Sequence, residues 1–206
     1  MAGYFEATGD GGAAVALDEV EISILRSLTV QLLELIGPGD GPAPGSEAEA
    51  EADPLDALFA EGPSELPSDP VLARLFPDAY GAGPAAAEKG DSEEDREASS
   101  EFRRYTENDL RAAKREDGLA VVRALDALTP AGDAGAVLRL GKQESRQWLG
   151  ALNDLRLALG TRLEVSEEDD GSGLYALPDS DPRKPMVMAY LWLGGLQESL
   201  VETLLT

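Results

Sequence analysis

Forty carboxylates, thirteen guanidinium groups and four ammonium groups supply most of the reactive side chains of this 206-residue chain, which has no imidazole and no thiol. Histidine is the usual proton shuttle and metal ligand near neutral pH, and the thiolate is the usual soft ligand and redox group. Without them the chain cannot build a Ser-His-Asp triad, a Cys nucleophile, a Cys/His zinc site or a thiol switch. Carboxylate acid–base work, a Ser-Lys arrangement and binding remain open. So many acids make chance carboxylate pairs certain, and Lys89, Lys114, Lys142 and Lys184 all stand in polar surroundings that do not suit a basic lysine. Gly9-Asp10-Gly11-Gly12 lacks the Lys-Ser/Thr of a phosphate loop. The acidic run near Asp169 lacks the closing glutamate of a calcium loop. The chain is therefore expected to be non-enzymatic, with no cofactor and no metal.

Two clusters are more specific. The segment Trp148 to Leu163 embeds Asn153, Asp154, Arg156 and Arg162 among leucines. Asn and Asp are poor helix formers in mid-helix, so these four are expected to form a polar network that fixes helix register or lines a pocket. The block Glu101-Phe102-Arg103-Arg104-Tyr105, followed by Arg111, Lys114 and Arg115, is the one candidate basic patch. Arg103, Arg104 and Arg111 are its candidates for surface recognition. Glu101, Glu107, Asp109, Glu116 and Asp117 dilute the patch, which argues against direct nucleic-acid binding. Two alternatives stay open: a DNA-binding regulator using the Arg103–Arg115 helix, and an enzyme using carboxylates such as Asp154 with arginines.

The elements that position these residues can be read from periodicity and punctuation. Residues 3–17 read as a β-hairpin around the Gly-Asp-Gly-Gly turn. Asp18 with Glu21 forms a capping signal for a helix over 18–36, with Val20, Ile24, Leu28, Leu32 and Leu35 as its core face. Asp53-Pro54 and Asp69-Pro70 start two short helices, Leu55 to Ala60 and Val71 to Phe76. A long helix is expected from near Glu97, with a second capping signal at Thr106 and Asp109. Its buried stripe is expected at Leu110, Ala113, Leu119, Val122, Leu125 and Leu128, and Thr129-Pro130-Ala131-Gly132 closes it. Ala136 to Leu140 alternates as a strand able to pair with the hairpin. A helix from Gln143 to Leu159 carries Trp148, Leu152, Leu155 and Leu159 on one face, and a last helix after Pro185 carries Met186, Tyr190, Leu193, Leu200 and Leu204.

The fold class expected is mainly α, a helical bundle with a small N-terminal β-hairpin or sheet. One domain over 1–206 is expected, with flexible acidic loops at about 37–53, 81–95 and 167–173. No signal-peptide pattern opens the chain, and Met186 to Leu196 is too short to span a bilayer, so a cytoplasmic protein without membrane contact is expected. The net charge of −23 is uneven: residues 1–95 hold 21 acidic and 3 basic groups, whereas 96–162 hold 10 and 12. Such a surface repels phosphate backbones and favours basic partners.

Several stretches together resemble one actinobacterial family: Asp69 to Tyr80, Glu101 to Thr106, Trp148 to Leu163, and Gly195-Leu196-Gln197-Glu198-Ser199-Leu200-Val201. The family is known mainly as a domain of unknown function, and it includes oxidative-stress regulators linked to cysteine biosynthesis. The resemblance implies a regulator whose partner is a protein, with the transcription machinery as the class of partner. The family's regulatory role is associated with a cysteine pair. This chain has none, so a thiol sensor maps to no residue here, and a regulator of this sequence must answer to a partner or ligand. Methionine oxidation at Met186 or Met188 is conceivable beside a plain packing role. The oligomeric state is left open.

Overall fold

The computed structural model describes residues 3–37, 62–80, 92–128, 135–165 and 177–205. The expected helix at Leu55–Ala60, the loop at 167–173 and the closing Thr129 to Gly132 turn lie outside these residues, as do 38–53 and 81–91 of the other two loops. Among the described residues five helices accompany a three-stranded antiparallel sheet. The chain divides into two compact units, unit 1 of residues 1–33 with 116–206 and unit 2 of residues 34–115.

Strand β1 (Glu6–Ala7) pairs with β2 (Ala13–Leu17), and β2 pairs with β3 (Ala136–Leu140), so the sheet order is β1-β2-β3. The turn works as its glycines suggest: Gly11 has φ of 79°, a left-handed conformation that favours glycine, and Thr8 N–H donates to Gly12 O. Val15 faces Leu138 and Ala13 faces Leu140 across the ladder. Both strands alternate buried and exposed residues, so the sheet has one dry face, with Val137 and Arg139 on the other.

Helix α1 (Glu19–Ile36) begins at the predicted capping box: Asp18 N–H donates to Glu21 Oε2 at 2.9 Å, and Glu21 N–H to Asp18 Oδ1 at 2.8 Å. Of the expected stripe only Leu32 is buried; the other buried residues are Leu25, Thr29 and Ile36. Val20 is 65 % exposed and Ile24 40 %, which leaves a second apolar stripe uncovered. Helix α2 (Pro70–Leu75) starts where expected, with Asp69 Oδ1 accepting from Val71 and Leu72 N–H.

Helix α3 (Glu93–Asp126) starts earlier than expected, because Ser92 Oγ accepts from Asp95 N–H and Glu93, Glu94 and Asp95 place negative charge in the first turn. Residues 92–95 are therefore helix start, not loop. Thr106 starts nothing: its hydroxyl donates back to Phe102 O and the helix runs through it. Of the expected stripe Leu125 is buried and Val122 and Leu128 are half-buried, but the earlier positions are out of phase. Leu110, Ala113 and Leu119 are exposed, and the buried positions are Ser99, Arg103, Glu107, Gly118, Val121 and Leu125. Gly118 serves packing in unit 1, since a Cβ there would lie 2.9 Å from Leu33 Cδ2.

Helices α4 (Lys142–Arg162) and α5 (Lys184–Leu205) carry the rest of the core of unit 1. Trp148, Leu152, Leu155 and Leu159 are all buried, as the spacing predicts. On α5 Leu193 and Leu200 are buried as expected, together with Val187, Leu196 and Ser199, whereas the expected Met186, Tyr190 and Leu204 are only half-buried. Phe5 joins the sheet to these helices: its N–H donates to Ser199 Oγ at 3.1 Å and its ring meets Trp148 edge-on at 6.2 Å.

Candidate functional sites: a charged interior and an apolar groove

In unit 2, the residues expected to recognise a partner lie largely inside. Arg103 is 4 % exposed and Glu107 3 %. The Arg103 guanidinium pairs with Glu107, reaches Asp78 Oδ1 at 2.8 Å and donates to Phe76 O at 3.0 Å. Burial alone would pull Arg103 down, but its bonds to Asp78 and Glu107 hold it above the usual arginine value. Arg111 donates to Glu107 Oε1 at 2.7 Å and to Ile36 O at 2.7 Å, and its guanidinium lies 4.3 Å from the Phe76 ring centre. Arg115 donates to Gly37 O at 2.6 Å. Arg104 is half-buried, with its guanidinium carbon 5.7 Å from the Tyr105 ring centre. Arg103, Arg104, Arg111, Lys114 and Arg115 do not converge on one exposed face, because the first is enclosed and the other four are half-buried. What the block Glu101 to Thr106 does expose is aromatic: Tyr80 and Phe102 meet edge-on at 6.2 Å, with Tyr105 beside them.

In unit 1, the four polar residues of α4 separate. Arg156 donates to Gln197 Oε1, and Gln197 Nε2 donates to Asn153 Oδ1 at 3.4 Å. Arg156 also lies 5.3 Å from the Tyr190 ring centre, and it occupies the space above Gly194, where a Cβ would come within 3.6 Å of its Nε. These contacts tie α4 to α5 along a polar cleft of about 590 Å³. Asp154 is buried in the same helix, whereas Arg162 is exposed and stands elsewhere, at the rim of a larger groove.

That groove has a volume of about 730 Å³ and is open to solvent. Its walls are Ile24 and Leu28 of α1, Leu159 of α4, and Met186, Met188 and Trp192 of α5. Glu21 and Arg162 are its charged residues, with Ser27 and Gln31 as further polar groups. Ile24, Leu28 and Met186 are residues that periodicity assigns to the core. The signal available in the sequence was width: α1 is apolar on the Val20-Ile24-Leu28 side as well as on the Leu25-Leu32-Ile36 side, more than one buried face needs. Among the described residues no group of three or more Asp or Glu is placed to hold a metal ion, and no helix is long and apolar enough to cross a membrane.

Similarity to known proteins agrees with a regulatory reading. A Mycobacterium tuberculosis protein named "Oxidative stress regulator AosR" is 30 % identical over 191 residues, which cover 90 % of this chain and 78 % of that protein. A Mycobacterium bovis protein of the same name matches to the same extent. No solved structure matches the chain. The profile of the family described as "Domain of unknown function (DUF2017)" matches residues 1–204, and the chain belongs to that family.

Proposed function

We infer that this chain is a non-enzymatic regulatory protein of the cytoplasm that works by protein–protein contact, with the groove of unit 1 as its contact surface. One observation carries the reading: Ile24, Leu28, Met186, Met188 and Trp192 together line an open apolar groove. Contiguous exposed apolar surface of this kind marks partner sites in soluble proteins. The occupant is an amphipathic helix of the partner. The α1 wall from Glu21 to Gln31 extends for roughly 15 Å, enough to seat the roughly 10 Å over which a helix presents anchors at i, i+3, i+4 and i+7. Methionine side chains adapt to such a ligand better than branched ones do. The net charge of −23 favours a partner with a basic flank and speeds the encounter.

The names of the relatives support placing this contact in an oxidative stress response. The partner proposed is a component of the transcription machinery, in a response linked to cysteine biosynthesis. The signal does not pass through a thiol of this chain, which has none. Unit 2 adds a second, smaller contact through Tyr80, Phe102 and Tyr105, with Arg104 at its edge. The test is an affinity capture from the native cytosol with the wild-type chain and with Ile24→Asp, which sets a charge in the groove at a position exposed enough to leave the fold intact. Partner recovery is expected to fall by at least about tenfold, since a buried unpaired charge costs well over 1.4 kcal/mol. An identical set of captured proteins, with the helical content of the variant unchanged, overturns the assignment of the groove.

A further inference from the structure

We propose that Met186 and Met188 are an oxidation site, at which conversion to methionine sulfoxide lowers the groove's affinity for apolar partners. The chain has three methionines and no cysteine. Thiolates are normally the first side chains to meet a peroxide, and without them the thioethers are the softest nucleophiles present. Two of the three stand in one groove. Met188 is 55 % exposed and Met186 half-buried, so an oxidant reaches both from solvent.

The step is balanced with hydrogen peroxide as the oxidant. The thioether sulfur attacks one peroxide oxygen, the O–O bond breaks, an S–O bond forms, and the other oxygen leaves as water after taking up the proton. Sulfur loses two electrons and peroxide gains them. A methionine sulfoxide reductase reverses the change, so the site can cycle. Its consequence follows from the lining. Ile24, Leu28 and Leu159 offer no side-chain donor to a sulfoxide oxygen; the donors in the lining are Ser27, Gln31, Arg162 and the Trp192 indole N–H, which is buried without a hydrogen-bond partner among the described residues. An apolar ligand that docks over the oxidised groove displaces water from a strong dipole that the ligand itself cannot satisfy, a cost that unoxidised methionine does not impose. The expected loss of affinity is about tenfold.

The importance of this site rests on the groove being the contact surface, but its chemistry can be read without the partner. The full-length chain is treated with hydrogen peroxide, the sulfoxides are located by peptide mass spectrometry, and binding of an anilinonaphthalene sulfonate dye is measured before and after. Ile24→Asp identifies the fraction of dye held in the groove. The expected result is one added oxygen on each of Met186 and Met188, groove-bound dye weakened by about tenfold, recovery after treatment with the reductase, and no loss in the Met186→Leu/Met188→Leu variant. Full oxidation with unchanged dye binding, or an equal loss in the double leucine variant, overturns the proposal. Either result leaves the Ile24→Asp capture as an independent test. Conversely, unchanged partners in that capture remove the docking surface without touching the oxidation chemistry.

Discussion

The two units solve the same problem with opposite materials. Unit 1 fills its interior with Trp148, Leu152, Leu193 and Leu200, which need only volume and shape from their neighbours. Unit 2 places Arg103, Glu107 and Arg111 in a row along α3, four residues apart, and closes the row with Asp78, Phe76 O and Ile36 O. An apolar core resists the loss of a few methylenes in proportion to the void left behind. A buried charge row is less forgiving, because removing one member leaves the others desolvated and unpaired. The gain from such a row is geometric. Both Arg103 Nη atoms and all three Arg111 nitrogens are aimed at named acceptors, while Arg103 Nε is buried without one among the described residues, and these bonds set the register in which the 62–80 segment meets the helix.

The sharpest way to break the contrast is Glu107→Ala, which strands two guanidinium groups. Unfolding by urea is expected to show a loss of about 3–5 kcal/mol. Converting the pair to apolar residues, Arg103→Met with Glu107→Leu, removes one of the two stranded groups but leaves Arg111 without Glu107, and is expected to recover only part of that loss. If the double variant is as unstable as Glu107→Ala, the row contributes net stability and not only specificity. In unit 1 the matching change is Leu152→Ala, with an expected loss of about 2–5 kcal/mol and no charge partner able to restore it. Gly118→Ala comes next. The added methyl overlaps Leu33, and the packing penalty exceeds the helix-propensity gain by about 1 kcal/mol, seen as a small drop in Tm.

The smallest effect belongs to an ion pair on the outside. Arg26 Nε lies 2.6 Å from Asp126 Oδ1, and its hydrogen bond holds the Asp126 carboxyl below the ordinary value of 3.8. A depressed carboxylate stabilises the folded state above its unfolded value and loses that contribution as pH falls through its lowered one. The wild-type advantage over Asp126→Asn in thermal unfolding is therefore expected to be slight at neutral pH and to vanish in acid. An advantage that grows on acidification would contradict this pairing.

Where apolar spacing and burial coincide, the fold could be read from the chain. Trp148, Leu152, Leu155 and Leu159 are core in both; the capping box at Asp18 and Glu21 follows from local chemistry, and the pairing of Ala136 to Leu140 with the hairpin follows from a hairpin's need for a further strand. The first half of α3 could not be read that way, because its buried stripe is made of charges and its exposed positions include Phe102, Tyr105 and Leu110. Periodicity weighs hydrophobicity, so it chose the wrong side of the helix. The clue lay in sign: Arg103, Glu107 and Arg111 alternate at i, i+4, the spacing at which opposite charges pair along a helix, and the glutamate marked a partner, not a dilution of a basic patch. The groove escaped for a related reason. Ile24, Leu28 and Met186 are apolar at helical spacing, and a residue that waits for a partner looks the same in sequence as one that already has its neighbours.

The order β1-β2-β3 carries one more consequence. Among the described residues β3 is hydrogen-bonded on one side only, to β2, which makes it an edge strand of this sheet. Such an edge is where molecules begin to stack into insoluble fibrils at high concentration. Its wet face bears Val137 and, two residues on, Arg139, and an identical strand laid alongside in parallel and in register would bring like charges together. One cationic side chain on a five-residue strand thus acts as a guard against self-association, a duty unrelated to regulation and easily mistaken for spare surface.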